Sequence, residues 1–178
     1  LARAATGDLA GAAQDFDRYL YAGGTVPDVT RQRRQAWVNA LRAGYNPVLA
    51  HIQVYNGDLE PALVAYEAMR AAELSFPADE WNHLCWLGAR DGGAAQVLFA
   101  CDLAVEIAPN VANYHDSRGL ARALAGNFQG AVEDYRLTVA QADPRFTSSS
   151  YLARRQAIIW ALEFLSSLQR RIGAVPGA

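Results

Sequence analysis

The fold of this chain is decided by the stretch from Asp116 to Arg136, which reads DSRGLARALAGNFQGAVEDYR. Small residues recur in it at the positions where two neighbouring helices would touch. Gly126-Asn127 interrupts this pattern half-way, and Tyr135 follows Ala131 by four residues. The stretch therefore predicts a helical hairpin of the helix–turn–helix repeat kind.

The opening of the chain repeats this text. Residues 1–16 and 120–135 share the pattern Leu-Ala-Arg-Ala-x-x-Gly-[Asp/Asn]-[Leu/Phe]-x-Gly-Ala-x-x-Asp-[Phe/Tyr]. A second match follows in each copy, at residues 33–36 and 154–157, which both read Arg-Arg-Gln-Ala. The sequence therefore predicts a duplicated, all-helical array.

Size and composition indicate a single soluble domain. The chain has 178 residues, of which 52% are hydrophobic and 19% are charged. A net charge of −2 argues against nucleic-acid binding, which needs a concentrated positive field. All 16 basic residues are Arg, which excludes Schiff-base chemistry and a phosphate-loop lysine.

The ends and the hydropathy of the chain bear on its context. No apolar run approaches the roughly 20 residues of a membrane span, and no signal peptide is recognisable, so we expect no membrane insertion and a bacterial cytoplasmic location. The chain begins without Met, in what we expect to be the back half of a helix. We therefore expect it to be a fragment of a longer protein.

Breakers and capping residues divide the chain into helices. Pro and Gly mark the boundaries, and Asp8, Asp58 and Asn127 are the expected N-caps. We predict helices at 1–6, 9–21, 29–43, 47–56, 59–73, 78–90, 94–107, 111–125, 128–141 and 151–171, and no strand. In the last helix we expect Tyr151, Ile158, Leu162, Leu165 and Leu168 to face inward.

From Trp81 onward the chain resembles a tetratricopeptide repeat (TPR) protein. Gly119, Ala131 and Tyr135 match the family's small, small and aromatic positions, Gly126 falls in the turn, and Pro144 ends the repeat. The same frame accommodates two earlier triplets: Gly57, Ala62 and Tyr66, and Gly7, Ala12 and Phe16. The Trp-Asn-x-Leu-Cys-Trp opening at residue 81 is similar to a bacterial subset that often appends such repeats to other domains.

This resemblance implies an all-α, right-handed alpha-alpha superhelix, a TPR-like solenoid of antiparallel helix pairs. Residues 1–74 would form a truncated first unit. Residues 75–178 would form a second unit, in which helix 151–171 is a C-terminal capping helix. Each pair is too small to bury its apolar face alone and depends on its neighbours.

The resemblance also implies a binding surface, because the first helix of each hairpin lines the concave face in this family. The implied peptide-binding positions are Asn82, Trp86, Asn113, Asp116 and Ser117. An Asn can pair with the backbone of an extended peptide, and an aromatic ring can receive an apolar side chain. The alternative interpretation places Trp86 in the core and makes Asn113 a helix cap.

These observations favour a protein–protein interaction scaffold that binds a partner peptide or helix, as a module of a larger bacterial protein or complex. The alternative is a regulatory or sensor segment that controls a fused effector domain. Self-association through the open N-terminal edge at Leu1 is a second mode of partner binding.

The cysteines and histidines give little sign of chemistry. We expect Cys85 and Cys101 to be free thiols that pack as small apolar residues. His51, His83 and His115 are 32 residues apart, but no C-x-x-C or H-x-x-x-H spacing accompanies them, so we expect no metal and no cofactor. A helical enzyme using Cys85 and a histidine is conceivable, but no oxyanion hole is recognisable and we expect no enzymatic activity.

The charged residues are interpreted as solvent-facing. Asp15, Asp17, Glu133 and Asp134 recur in both copies and resemble solvated helix faces. The pairs at 33–34 and 154–155 are expected to be exposed Arg residues that are able to meet a partner's carboxylates.

Overall fold

A computed structural model of the protein describes residues 1–21, 27–143, 145 and 147–173. All regular structure within these ranges is helical, as predicted, and no strand occurs there. The described α-helices are α1 (Ala2–Ala5), α2 (Leu9–Tyr21), α3 (Asp28–Arg42), α4 (Pro47–Asn56), α5 (Leu59–Ala71), α6 (Ala78–Gly88), α7 (Leu98–Ile107), α8 (Ala112–Leu124), α9 (Phe128–Gln141) and α10 (Ser149–Gly173). The predicted repeat end at Pro144 lies outside the described residues.

Helices that follow each other in the sequence pack together, most extensively α8 with α9, and next α2 with α3, α6 with α7, and α9 with α10. At the turn between α8 and α9, Gly126 has φ +83°, a conformation that a residue with a Cβ rarely adopts. Asn127 then caps α9, because its Oδ1 accepts a hydrogen bond from Gly130 N at 2.9 Å. Asp8 caps α2 in the same way through Gly11 N. Asp58 lies at the N-cap position of α5, as expected, but its side chain makes no capping hydrogen bond.

The boundary between α6 and α7 differs from the prediction. Helix α6 ends at Gly88, the chain then kinks within Ala89–Gly93, where Asp91 and Gly92 leave the helical conformation, and α7 begins only at Leu98. Gly92 has φ +98°, which breaks the helix. A Cβ on Gly93 would lie 2.0 Å from Leu59 Cδ2, so a larger residue here would require the Leu59 side chain on α5 to move.

Two apolar clusters hold the helices together. The larger one runs from Ala4 to Ala121 and includes Tyr66, Met69 and Trp81. The smaller one joins α9 to α10 through Ala131, Tyr135, Ile159 and Leu162.

The inward face of α10 is only partly the predicted one: Leu162 is buried and Ile158 packs against the smaller cluster, as predicted. Ile159, Leu162 and Ser166 are buried, whereas Leu165 is exposed. Trp160 and Phe164 are also exposed, although both are large and apolar. The reason is that α10 packs chiefly on α9, so a single neighbour chooses the buried face of a helix that is apolar on several sides.

Cys85 on α6 and Cys101 on α7 form a disulfide with a Cα–Cα distance of 4.9 Å. Both residues are fully buried, as expected, but the prediction of free thiols is wrong. The two helices pack side by side and bring the two Cβ atoms together across 16 residues of sequence. Within the described ranges no helix is long and apolar enough to cross a membrane.

Candidate ligand-binding groove

Three pockets lie in a row along α3, α6 and α8, and we call this row the polar groove. The central pocket has a volume of about 550 Å³ and is lined by Arg33, Asp79, Asn82, His83, Trp86, Val111, Asn113, Tyr114 and Ser117. The first pocket, of about 560 Å³, shares Arg33 with it. The third, of about 470 Å³, shares Asn113. The central pocket therefore adjoins each of the other two.

Four of the five predicted peptide-binding residues, Asn82, Trp86, Asn113 and Ser117, line the central pocket. Trp86 is 43% exposed and is therefore not a core residue. Asn113 is not the N-cap of α8, which begins after Val111 without a side-chain cap.

Asp116 is the predicted residue that the structure places elsewhere. Its carboxylate accepts hydrogen bonds from Arg155, with Arg155 Nη2 at 2.7 Å from Asp116 Oδ2. The Arg155 guanidinium also lies over the rings of Tyr135 and Tyr151. Asp116 therefore holds α8 to α10 and does not face the pocket.

A buried carboxylate lies beneath the central pocket. Glu80 is fully buried, and its Oε1 accepts hydrogen bonds from Tyr66 Oη at 2.6 Å and from His51 Nδ1 at 3.2 Å. Arg33 Nε lies 3.1 Å from Glu80 Oε2. Burial raises the pKa of Glu80, but its partners more than offset this and leave the pKa below the ordinary value.

Arg33 also forms an ion pair with Asp79, so one guanidinium serves two carboxylates. The prediction that Arg33 is an exposed charge is wrong, because α6 packs over it. The sequence contains a signal for this arrangement: Asp79 and Glu80 are adjacent acids in the first turn of a helix that is otherwise largely apolar. Arg33 lies 46 residues away from Asp79, so no local pattern connects it to these two acids.

The histidines take unlike positions. The rings of His51 and His83 stack, with centroids 3.8 Å apart. Burial, followed by the charge of His51, lowers the pKa of His83 to about 4, so His83 is neutral near pH 7. His115 lies apart, hydrogen-bonded to Asp134 and to Pro109 O. The described residues contain no group of three or more His, Cys, Asp or Glu placed to hold a metal ion.

Four buried polar atoms of the residues that line the central pocket have no hydrogen-bond partner among the described residues: Arg33 Nε, Asp79 Oδ1, Asn82 Oδ1 and His83 Nε2. An unsatisfied buried polar group costs about 1–3 kcal/mol, so natural structures hold few of them. Burial is also the largest cause that raises the pKa of Asp79, with Glu80 adding to it and Arg33 opposing it. The pocket therefore contains hydrogen-bond acceptors that have no donor among the described residues.

The raised pKa of Asp79 predicts how the Asp79→Asn variant compares in stability with the wild type. A carboxyl whose pKa is raised by folding destabilises the fold once it ionises, from its unfolded-state pKa upward. Asp79→Asn is therefore expected to be at least as stable as the wild type at about pH 7, with the difference shrinking towards about pH 4, where Asp79 is increasingly protonated. Urea unfolding at the two pH values measures this. A variant that is clearly less stable at the higher pH would show that the ion pair with Arg33 outweighs the cost of burial.

A second buried carboxylate lies between α8 and α9. Asp134 is fully buried and is held by Arg118 at 2.7 Å, by Arg122 at 2.9 Å and by His115 at 3.2 Å. The interpretation of Asp134 as a solvated residue is therefore wrong. Every polar contact of this cluster is made within the chain, which gives it a structural role.

No protein-family model matches this sequence, and a search of curated proteins finds no match. The geometry of the groove is therefore the basis for the functional proposal.

Proposed function

We propose that the protein is an interaction scaffold whose polar groove binds a segment of a partner protein. The observation that carries this proposal is the row of three connected pockets with unpartnered polar atoms inside it. A polypeptide suits such a row because it is long and narrow and offers an N–H donor and a C=O acceptor at nearly every residue. Asn82 and Asn113 would hold its backbone, and Trp86 would pack against a side chain.

The same proposal includes the architecture. We propose that the helix pairs follow a TPR-like right-handed superhelix, in which α6 and α8 are the first helices of successive hairpins and so face the same side. The internal sequence repeat supports this assignment, since Gly7 and Gly126 occupy equivalent turns with almost equal φ values of +83°. Antiparallel pairs of this kind are scaffolds for many ligands.

Two alternative functions remain predictions. A regulatory segment that controls a fused effector domain would use the same groove, with the effector supplying the ligand. Self-association would use the edge at Leu1, which is exposed and lines the first pocket. The enzyme alternative lacks its nucleophile here, because Cys85 is buried and bonded to Cys101.

The predicted bacterial cytoplasmic location stays a prediction. The disulfide argues against it, because disulfides persist mainly in oxidising compartments. Counting the free thiols of this protein in freshly lysed cells distinguishes a reducing from an oxidising compartment.

The groove is tested with a triple variant, Asn82→Ala/Trp86→Ala/Asn113→Ala, which we call the groove variant. We expect a partner captured by the wild-type protein from the source cells to be lost by the groove variant, since the variant removes two amide contacts and one aromatic surface from the central pocket. Affinity capture with quantitative mass spectrometry measures the loss, and circular dichroism checks that the variant is folded.

The chain offers a matched control for the tryptophan. Trp160 on α10 is 65% exposed and lines none of the three pockets. Trp160→Ala should retain the partner. A partner lost with Trp160→Ala and kept by the groove variant would move the binding surface to α10 and contradict the proposal.

A further inference from the structure

The unpartnered atoms of the polar groove differ in kind from pocket to pocket. In the central pocket, Asp79 Oδ1 and Asn82 Oδ1 are both hydrogen-bond acceptors. In the first pocket, Arg34 Nη1 and Trp37 Nε1 are both donors. Arg33 Nε, which belongs to both pockets, and His83 Nε2 in the central pocket also lack a partner, so the two pockets differ in the two acceptors that only the central pocket offers.

The charges around the central pocket also favour a ligand that donates hydrogen bonds. Asp79 and Glu80 share the single guanidinium of Arg33, and Glu80 is also hydrogen-bonded to His51 and Tyr66, which leaves Asp79 with fewer partners than Glu80. His83 is neutral near pH 7, and the nearby Arg90 is paired with Asp91 at 3.1 Å. Arg34 and Arg154 line only the two outer pockets. Asp79, the carboxylate with fewer partners, therefore lines the central pocket, away from Arg34 and Arg154.

The residues that would contact a ligand lie in line on α6. Asp79, Asn82 and Trp86 follow one another at spacings of three and four residues, so they share a face of the helix, and all three line the pocket. This places a carboxylate, an amide oxygen and an indole surface along the wall of the pocket. The indole already contacts one cation of this chain, since Arg90 Cζ lies 4.9 Å from the ring centroid of Trp86.

We propose that the central pocket is a specificity pocket for a basic side chain of the partner segment, with its cationic head against Asp79 Oδ1 and Asn82 Oδ1 and its aliphatic stem along Trp86. This inference rests on the proposed function and names the side chain that the groove selects. A cationic head supplies donors to both acceptors and places a positive charge against the carboxylate of Asp79. An acidic side chain would be repelled at this point, and an apolar one would leave both acceptors without partners.

The experiment uses a random linear peptide library displayed on phage and selected on the purified wild-type protein. The best peptide is synthesised with each Arg in turn replaced by citrulline and each Lys by norleucine, which keep most of the shape and remove the charge. We expect one such replacement to weaken binding by at least about tenfold, measured by calorimetry. We expect the same replacement to have little effect on the Asp79→Asn protein, because the two changes remove one interaction.

Asp79→Asn is expected to fold, as argued above for its stability, and Glu106→Gln is the control that removes a carboxylate from an exposed position on α7. Glu106→Gln should leave the tenfold difference intact. If the selected peptides lose binding to the groove variant and yet tolerate every charge replacement, the basic pocket is wrong and the proposed function stands. If every selected peptide binds the groove variant as tightly as it binds the wild-type protein, the proposed function fails and this inference fails with it.

Discussion

Replacing Asp134 with alanine is expected to lower the free energy of unfolding by about 3–5 kcal/mol, the usual loss when one partner of a buried ion pair is removed. The carboxylate is fully buried and pairs with Arg118, Arg122 and His115. Its removal leaves Arg118, whose side chain is only 15% exposed, without its nearest buried counter-charge. Urea unfolding followed by circular dichroism measures the change.

Asp102 provides the matched control, because it contacts the same two arginines from the solvent side. Its side chain is 57% exposed and lies 3.0 Å from Arg118 Nη1. Asp102→Ala should cost less than about 1 kcal/mol, as exposed ion pairs do. Similar losses for the two variants would show that burial does not set the strength of this cluster.

Reduction of the disulfide between Cys85 and Cys101 is expected to destabilise the protein by about 3 kcal/mol. The bond closes a loop with a sequence separation of 16 residues, and loops of this size restrict the unfolded chain by about that amount. For a chain of this length the loss corresponds to a melting temperature lower by roughly 6–12 °C. Thermal unfolding with and without a reductant measures the shift.

The variant Cys85→Ala/Cys101→Ala separates the bond from other effects of the reductant. Its melting temperature should be low and should not respond to reductant, since the described residues contain no free cysteine. A wild-type protein whose melting temperature is the same in both conditions, with two thiols titrated after unfolding in each, would show that the bond does not form in solution.

Local features of the fold were predicted well because they depend on residues that are close in sequence. The turn at Gly126-Asn127 combines a backbone conformation that glycine adopts readily with a cap formed by the next side chain. The four lining residues Asn82, Trp86, Asn113 and Ser117 were found through the repeat frame, which assigns positions along each first helix. The buried face of α10 could not be predicted in this way. Ile159 is buried and Leu165 is exposed because of the side on which α9 packs.

The sequence by itself determined an all-helical chain, its turns and the helices that line the groove, because periodicity, capping and glycine conformation are properties of short segments. Only the tertiary structure decided that Glu80 and Asp134 are buried, that Arg33 serves two carboxylates and that Cys85 is bonded to Cys101. The physical reason is that burial and charge compensation depend on residues far away along the chain: Arg33 lies 46 residues from Asp79, and Asp116 lies 39 from Arg155. A charge on a helix has the same sequence pattern whether water or another helix faces it, and packing alone makes that choice.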